Sequence, residues 1–469
     1  MRIEEFLAAH GMDKNENPFS SGEEAQGDQV FLHLLHEKGF KFGHPLWPKF
    51  SGNPPGNQSA VVIGSKGSGK TAMRLALETS VQEHNKNAPA DRAFLVRYDD
   101  FSDYLEAWSN ARHAKNRTSW WSRIRKKTYQ PTLHDDWALA HLLDGILSEI
   151  AKALCEELKS QNGRLPWDAQ ARYDALFLLA AYLPGDSSEY ENVIRDMESR
   201  LFSRWDRVKR RTKAIASAGV VPAIRWFNAR AAAGRVIEQI EVIPRQTKDL
   251  VRALRRIPPH YLTSQPLVTA SAEASRENQR YAHLRRLAQH LGKIGYQRIV
   301  VVVDKVDEPL QINGDPGKMF HLVKPLLNNK VLQTKELTFK LLLSLEIDKE
   351  IQKQGDDFDK VFRPDKANLI RPLTWTGEHL YEMLTERARA CFTDSARAAT
   401  FSLSDVFEDS IDRGAIVTEL DKTRIPRTAT KFLGHCLTTA CQSELNSERP
   451  LIPRDVWIKA ISTFGLREA

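Results

Sequence analysis

Short apolar runs alternate along the chain with longer stretches in which apolar residues recur every three or four positions. The short runs are typical of buried strands, and the longer spacing is typical of amphipathic helices. Strands are predicted at Ala60–Ile63, Ala93–Tyr98, Arg298–Asp304, Thr338–Leu345 and Ala367–Leu373. Helices are predicted at Val30–Lys38, Ala72–Gln82, Asp135–Leu158, Gln170–Leu183, Tyr190–Ile215, Ala272–Gly292, Gly377–Cys391, Arg427–Ser443 and Pro453–Phe464. Strands that alternate with helices indicate an α/β fold.

These elements divide the chain into four parts. Residues 1–57 are interpreted as an N-terminal leader. Residues 58–100 and 291–374 contain the five predicted strands and are expected to form one core. Residues 101–290 between them are expected to form a large, mostly helical insertion, and residues 375–469 a C-terminal helical region.

The positive charge of the chain is concentrated in the insertion. The 469 residues have a formal net charge of +8, and residues 101–290 hold 31 Lys and Arg against 21 Asp and Glu. Such a segment is a candidate for contact with an anionic partner. Two clusters, Arg112–Lys127 and Arg204–Lys213, mix cations with tryptophan, a combination that suits an arm contacting nucleic acid. A helical insertion with a solvated basic face is the alternative.

Composition excludes several classes of protein. No run of about 18 apolar residues occurs, so a transmembrane helix is not predicted. The acidic start Met1–His10 lacks the apolar core of a secretory signal. Four cysteines in 469 residues are expected to be reduced thiols, and the protein is therefore expected to be cytoplasmic.

One glycine-rich segment carries a specific chemical motif. The stretch Gly64-Ser65-Lys66-Gly67-Ser68-Gly69-Lys70-Thr71 follows a predicted strand, opens a predicted helix and fits G-x-x-x-x-G-K-[ST]. Its glycines let backbone N–H groups turn towards a phosphate, at which the positive end of the helix also points. Lys70 would neutralise the β and γ oxygens of ATP, and the Thr71 hydroxyl would hold Mg²⁺.

A predicted strand followed by acidic residues supplies candidate groups for binding Mg²⁺ and for activating water. The buried run Val300–Val303 leads into Asp304, and Asp307 and Glu308 follow three and four residues later. In a parallel sheet, a carboxylate at the end of a strand beside the phosphate loop would bind Mg²⁺. One of the two later acids would orient or deprotonate the attacking water, and their spacing does not distinguish them.

With both motifs in place, the sequence resembles the AAA+ and STAND group of P-loop ATPases over roughly residues 30–100 and 272–465. The stretch VVVVDKVDEP is similar to the STAND form of the second motif. The resemblance implies a three-layer P-loop core with a five-stranded parallel sheet in the order 5-1-4-3-2. It also implies that the C-terminal helices form a lid over the nucleotide.

The resemblance implies roles for residues outside the two motifs. A polar sensor would end the fourth strand, where Ser344 and Glu346 are the candidates. Arg363 stands where the family places an arginine that reaches the γ-phosphate of a neighbouring subunit. Arg427, at the start of a predicted helix, resembles the sensor arginine of the lid. The lid is similar to that of origin-recognition initiators, but no winged-helix domain follows it, so origin binding of that kind is not expected.

Two classes of function follow from these patterns. The first is an ATPase, expected to be a homo-oligomer, in which Mg²⁺-dependent hydrolysis drives a conformational or assembly switch acting on a separate effector protein or nucleic acid. Prokaryotic ATPases of this general type often belong to defence or mobile-element systems. The alternative is a nucleotide-gated scaffold that hydrolyses little and holds a partner through the insertion. A small-molecule kinase also uses such a loop, but the lid-like C-terminus and Arg427 argue against it.

Overall fold

The computed structural model describes eleven stretches of the chain, and three predictions fall on the remainder. The described residues are 1–13, 16–20, 25–40, 43–118, 132–161, 166–167, 169–184, 240–243, 276–335, 337–443 and 449–464. The predicted helix Tyr190–Ile215, the cluster Arg204–Lys213 and most of the cluster Arg112–Lys127 lie outside them.

Five strands form one parallel sheet. They are β1 (Ala60–Gly64), β2 (Arg92–Tyr98), β3 (Tyr296–Val303), β4 (Leu337–Ser344) and β5 (Leu369–Ile370). Their order is β2-β3-β4-β1-β5, which, when it is read from the β5 edge, is the order 5-1-4-3-2 implied by the resemblance. In the register, Val61 of β1 lies opposite Leu369, and Phe94 of β2 lies opposite Ile299. Nearly continuous burial along β1 and β4 is typical of strands covered on both faces.

The fifth strand is shorter than the sequence predicts. Of the predicted run Ala367–Leu373, only the apolar pair Leu369 and Ile370 forms a strand. Pro372 has no N–H to donate to a neighbouring strand, and this ends regular pairing. The next residue, Leu373, donates its N–H to the carbonyl of Ile63 at 2.7 Å, so the chain stays beside β1 as it leaves the sheet.

Helices fill the intervals between the strands. Before β1 lie α1 (Ile3–Ala9), α2 (Gln29–Lys38) and α3 (Trp47–Ser51), and α4 (Lys70–Asn87) follows it. Between β2 and β3 lie α5 (Ser102–Thr118), α6 (Leu133–Asp136), α7 (Leu139–Ser160), α8 (Ala169–Tyr182) and α9 (Arg276–Gly292). Between β3 and β5 lie α10 (Pro316–Val323), α11 (Asn329–Leu332), α12 (Leu345–Lys353) and α13 (Asp356–Phe362). The chain continues into α14 (Gly377–Ala390), α15 (Ser395–Thr400), α16 (Arg413–Thr423), α17 (Pro426–Gln442) and α18 (Arg454–Phe464).

Several of these helices begin where a side chain caps the free N–H groups of the first turn. Asp28 accepts from the N–H of Phe31 before α2, and Asp412 accepts from the N–H of Ala415 before α16. Helix α17 instead begins with Pro426, whose missing N–H costs nothing at that position. No helix among the described residues combines the length and the apolar character needed to cross a membrane.

The chain divides into two compact units, and the first contains both ends of the sequence. It comprises Met1–Lys86, Leu341–Lys349 and Ala367–Ala469. Its hydrophobic core joins Phe6 and Leu34, from the N-terminal region, to Leu384, Phe432 and Trp457 of the C-terminal helices. Residues near the start of the chain are therefore part of the same core as α14, α17 and α18.

The second unit comprises Asn87–Lys340 and Glu350–Lys366. Its helices α7, α8 and α9 pack together around a set of buried charges. Asp144 on α7 accepts two hydrogen bonds from Arg280 on α9, at 2.6 Å from Nε and 3.0 Å from Nη2. His283 is also buried there, and this burial lowers its pKa to about 3. These groups join helices that are far apart in the sequence.

We expect the Asp144→Ala variant to lose about 3–5 kcal/mol of unfolding free energy, because Arg280 would be left as an uncompensated buried charge. Urea denaturation of the whole chain measures this change. The matched control is Glu156→Ala on the same helix, whose partner Lys159 is 34% exposed. An exposed pair of this kind contributes at most about 1 kcal/mol. Equal losses in the two variants would contradict the role given to the buried pair.

Candidate functional site

The glycine-rich loop lies between a buried strand and a long helix. All five residues of β1 are buried, and α4 begins at Lys70, within the motif. Gly67 has φ +86° and Gly69 has φ +100°, a region that residues with side chains rarely adopt. The glycines thus allow two turns of the backbone that other residues would resist. This is the strand–loop–helix context that the motif predicts for Gly64–Thr71.

Lys70 is held against its own loop. Its Nζ donates to the backbone carbonyls of Gly64 at 2.8 Å and Ser65 at 3.0 Å. The ammonium charge is therefore fixed at the loop by main-chain oxygens. Lys66, in contrast, is exposed. The two lysines of the motif therefore differ in environment, since Lys70 is bonded to the loop and Lys66 faces solvent.

Ser68 is the fifth residue of the motif. Its side chain is fully buried, and in the described part of the chain its hydroxyl has no hydrogen-bond partner. A Cβ placed on Gly64 would lie 2.5 Å from this hydroxyl, so a side chain at position 64 would collide with it. A buried polar atom without a partner is a group that a bound ligand or water can satisfy.

Arg427 contacts the loop from the C-terminal helices of the same unit. Its N–H donates to the carbonyl of Gly67 at 3.4 Å. A Cβ placed on Gly67 would lie only 2.8 Å from the Cβ of Arg427, so the start of α17 packs directly on the loop. The structure therefore places Arg427 in contact with the loop Gly64–Thr71.

Trp375 also contacts the loop, although no sequence pattern predicted this contact. Its indole Nε1 donates to the carbonyl of Ser68 at 2.9 Å. A Cβ placed on Gly69 would lie 3.7 Å from the indole ring, so ring and loop are in contact. A single tryptophan between a strand and a helix belongs to no motif. The only available signal was its position between the predicted strand Ala367–Leu373 and the predicted helix at Gly377.

The predicted acidic residues belong to the second unit. Asp304 directly follows β3 and is 3% exposed, and its carboxylate accepts from the N–H of Lys305 at 3.0 Å. Lys305 has φ +57°, so the chain turns sharply after the strand. Its ammonium pairs with Glu308 at 3.3 Å, whereas Asp307 accepts a backbone bond from Gly314 through its carbonyl. The three acids therefore differ in environment, with Asp304 buried and Glu308 exposed.

Arg363 also belongs to the second unit, where it follows α13 with φ +52°. Its guanidinium donates two hydrogen bonds to the carboxylate of Asp365, from Nε and from Nη2, each at 3.0 Å. These bonds raise the pKa of Arg363 and lower that of Asp365. Both side chains are exposed, so the arginine lies at the surface in a pair within its own chain.

The two candidates for the polar sensor lie on either side of the boundary between β4 and α12. Ser344 is the last residue of β4, and Glu346 lies in the first turn of α12. Ser344 therefore has the strand-end position that the resemblance implies. Within the described stretches, no group of three or more His, Cys, Asp or Glu side chains is arranged to hold a metal ion.

Comparisons with known proteins found no relative of this chain. No protein-family model, curated protein or solved structure matches the chain. The function of the chain is therefore inferred from the loop and from the residues that contact it.

Proposed function

We propose that this chain is a P-loop ATPase of the AAA+ and STAND type, which binds ATP with Mg²⁺ at Gly64–Thr71. The observation that carries the proposal is the local structure of the motif. Gly67 and Gly69 adopt positive φ between a buried strand and the start of α4, and Lys70 is fixed beside them. Loops of this form bind phosphates through backbone N–H groups and the positive end of the helix.

Each polar group of the proposed site has a defined task. Lys70 would exchange its bonds to the loop carbonyls for the β and γ oxygens of ATP. The Thr71 hydroxyl and the Asp304 carboxylate would hold Mg²⁺, which supplies charge neutralisation at the phosphates. A magnesium site of this kind needs only one or two protein ligands in addition to phosphate oxygens and water. Asp307 or Glu308 would then activate the attacking water.

The contacts on the loop support a conformational switch. Arg427 and Trp375 bond to successive loop carbonyls, and both residues come from the chain that follows β5. A change in the loop on nucleotide binding would alter these two bonds and therefore move the C-terminal helices. The switch would act on a separate effector protein or nucleic acid. The basic insertion would provide the surface for an anionic partner. The protein would act as a homo-oligomer.

The two acids after Asp304 provide the test of hydrolysis. We expect Asp307→Asn or Glu308→Gln to keep ATP affinity close to that of the native chain and to lower turnover by about 10²–10⁴-fold, the usual contribution of a general base. Phosphate release and equilibrium ATP binding are measured on the same preparations. Asp357→Asn, an exposed acid on α13, is the matched control for the change of charge. Normal turnover in both variants would exclude these acids as the base.

The alternative function is a nucleotide-gated scaffold, and one feature favours it. Glu308 and Arg363 are each held in an ion pair, with Lys305 and Asp365 respectively. A chain in which these pairs persist with ATP bound would hydrolyse slowly and act through its bound state. Tight ATP binding with negligible phosphate release at every protein concentration would support the scaffold over the ATPase.

A further inference from the structure

Trp375 connects the phosphate loop to two C-terminal helices. Its indole N–H donates to the carbonyl of Ser68, and its backbone N–H donates to the carbonyl of Arg424 at 3.2 Å. Arg424 ends α16, and Thr376, the residue after Trp375, caps α14 by accepting from the N–H of His379. Trp375 therefore bonds to the loop and to the end of α16, and its neighbour in the chain caps the start of α14 in the same unit.

The bond to Ser68 also determines which way a loop amide points. In a trans peptide the C=O and the following N–H point in opposite directions. Because Trp375 holds the Ser68 carbonyl on its own side, the N–H of Gly69 must point to the other side. Arg427 acts in the same way on the preceding peptide, since it holds the Gly67 carbonyl while the Ser68 N–H donates to Ser65 at 3.2 Å. The orientation of the Gly69 amide thus depends on a side chain outside the motif.

The indole ring is itself fixed by a buried histidine. The ring of His44 meets that of Trp375 edge to face, with centroids 5.0 Å apart and planes at 88°. His44 accepts from the N–H of Leu46 through Nδ1 at 3.1 Å and donates from Nε2 to Thr374 at 2.7 Å. This pattern requires a neutral imidazole, and burial lowers the pKa of His44 accordingly. Both ring nitrogens are used, so the histidine holds one position beside the tryptophan.

We propose that Trp375 is a positioning residue of the nucleotide site, which turns the Gly69 amide towards the phosphates and transmits the state of the loop to α14 and α16. This inference depends on the proposed binding of ATP at Gly64–Thr71. Trp375 would affect binding of the phosphate chain of the nucleotide, because it orients a backbone amide of the loop that binds phosphate. Trp375 is 5% exposed, and its indole N–H is already bonded to the loop. Its role is therefore to orient the loop and not to stack on a nucleotide base.

The test replaces Trp375 by phenylalanine, which keeps an aromatic ring and removes the donor. We expect the dissociation constant for ATP to rise about 5- to 10-fold, the size of one hydrogen bond. The matched control is Trp137→Phe, because the Trp137 indole is also buried and donates to a backbone carbonyl, that of Leu322, at 3.1 Å. We expect Trp137→Phe to lower thermal stability about as much as Trp375→Phe does, because each change removes one buried hydrogen bond. The ATP affinity of Trp137→Phe should stay within about 2-fold of the native value.

The outcomes separate this inference from the proposed function. Absence of ATP binding in the native chain would overturn the proposed function, and this inference with it. Native ATP affinity in Trp375→Phe, or an equal loss in Trp137→Phe, would overturn the positioning role alone. If Trp375→Phe fails to fold, ¹⁵N-indole resonances of the native chain give the answer. ATP should shift the Trp375 signal and leave the Trp137 signal in place, and an unmoved Trp375 signal would contradict the inference.

Discussion

Replacement of Lys70 by alanine is expected to weaken ATP binding by about 10²–10⁴-fold. A hydrogen bond to a charged group contributes about 1.5–3 kcal/mol, and Lys70 would make two of them, one to each of two phosphates. The same change removes the two bonds from Nζ to the carbonyls of Gly64 and Ser65. Equilibrium binding of ATP in the presence of Mg²⁺ measures the effect.

The loop provides its own control for this experiment. Lys66 lies in the same loop and carries the same charge, but its side chain is exposed. Lys66→Ala should therefore bind ATP within about 3-fold of the native chain, since a screened surface charge contributes little. Equal losses in the two variants would show that affinity follows general positive charge and not a bound lysine. Native affinity in Lys70→Ala would place the nucleotide elsewhere in the protein.

Arg363→Ala is expected to lower ATP turnover by about 10³-fold or more if the arginine acts on the nucleotide of a neighbouring subunit. A site shared between two subunits also requires that turnover per chain rises with protein concentration. Both results come from one experiment, in which phosphate release is followed over a dilution series. The arginine must first leave Asp365, to which it donates two hydrogen bonds of 3.0 Å.

Asp365→Ala is the matched variant for Arg363, because it breaks the same ion pair and keeps the guanidinium. We expect it to hydrolyse ATP at least as fast as the native chain, since the arginine is then released. Because both side chains are exposed, loss of the pair itself should change the unfolding free energy very little. Equal turnover in the two variants, together with rates that are independent of concentration, would contradict a role in trans and indicate a monomeric switch or scaffold.

Local sequence pattern predicted the sheet well. The run Arg298–Asp304 became β3 from Tyr296 to Val303, and Gly64–Thr71 joins β1 to α4 as the motif requires. Such elements are encoded by neighbouring residues, through β-branched runs or glycines at fixed spacing. The strand Ala367–Leu373 was predicted too long, because only its apolar pair Leu369 and Ile370 takes part in the sheet and regular pairing ends before Pro372.

Contacts between distant parts of the chain were not predictable in this way. Trp375 reaches Ser68 across 307 positions, and Asp144 pairs with Arg280 across 136. No periodicity within either segment specifies its partner, because the partners meet only once the chain has folded. Arg427 was proposed as a site residue only through a family resemblance, and the structure places it against the loop. The ion pair of Arg363 with Asp365 is local, but it was not predicted either, because the arginine was considered only as a group for a neighbouring subunit.

The decisive experiment measures phosphate release from ATP by the native chain, with and without Mg²⁺, alongside Lys70→Ala. We predict turnover that saturates with ATP, requires Mg²⁺ and is lost in Lys70→Ala, while Lys66→Ala retains it. Saturable ATP binding without phosphate release would support the scaffold in place of the ATPase. An absence of both binding and release at millimolar ATP would contradict the assignment of Gly64–Thr71 as a nucleotide site.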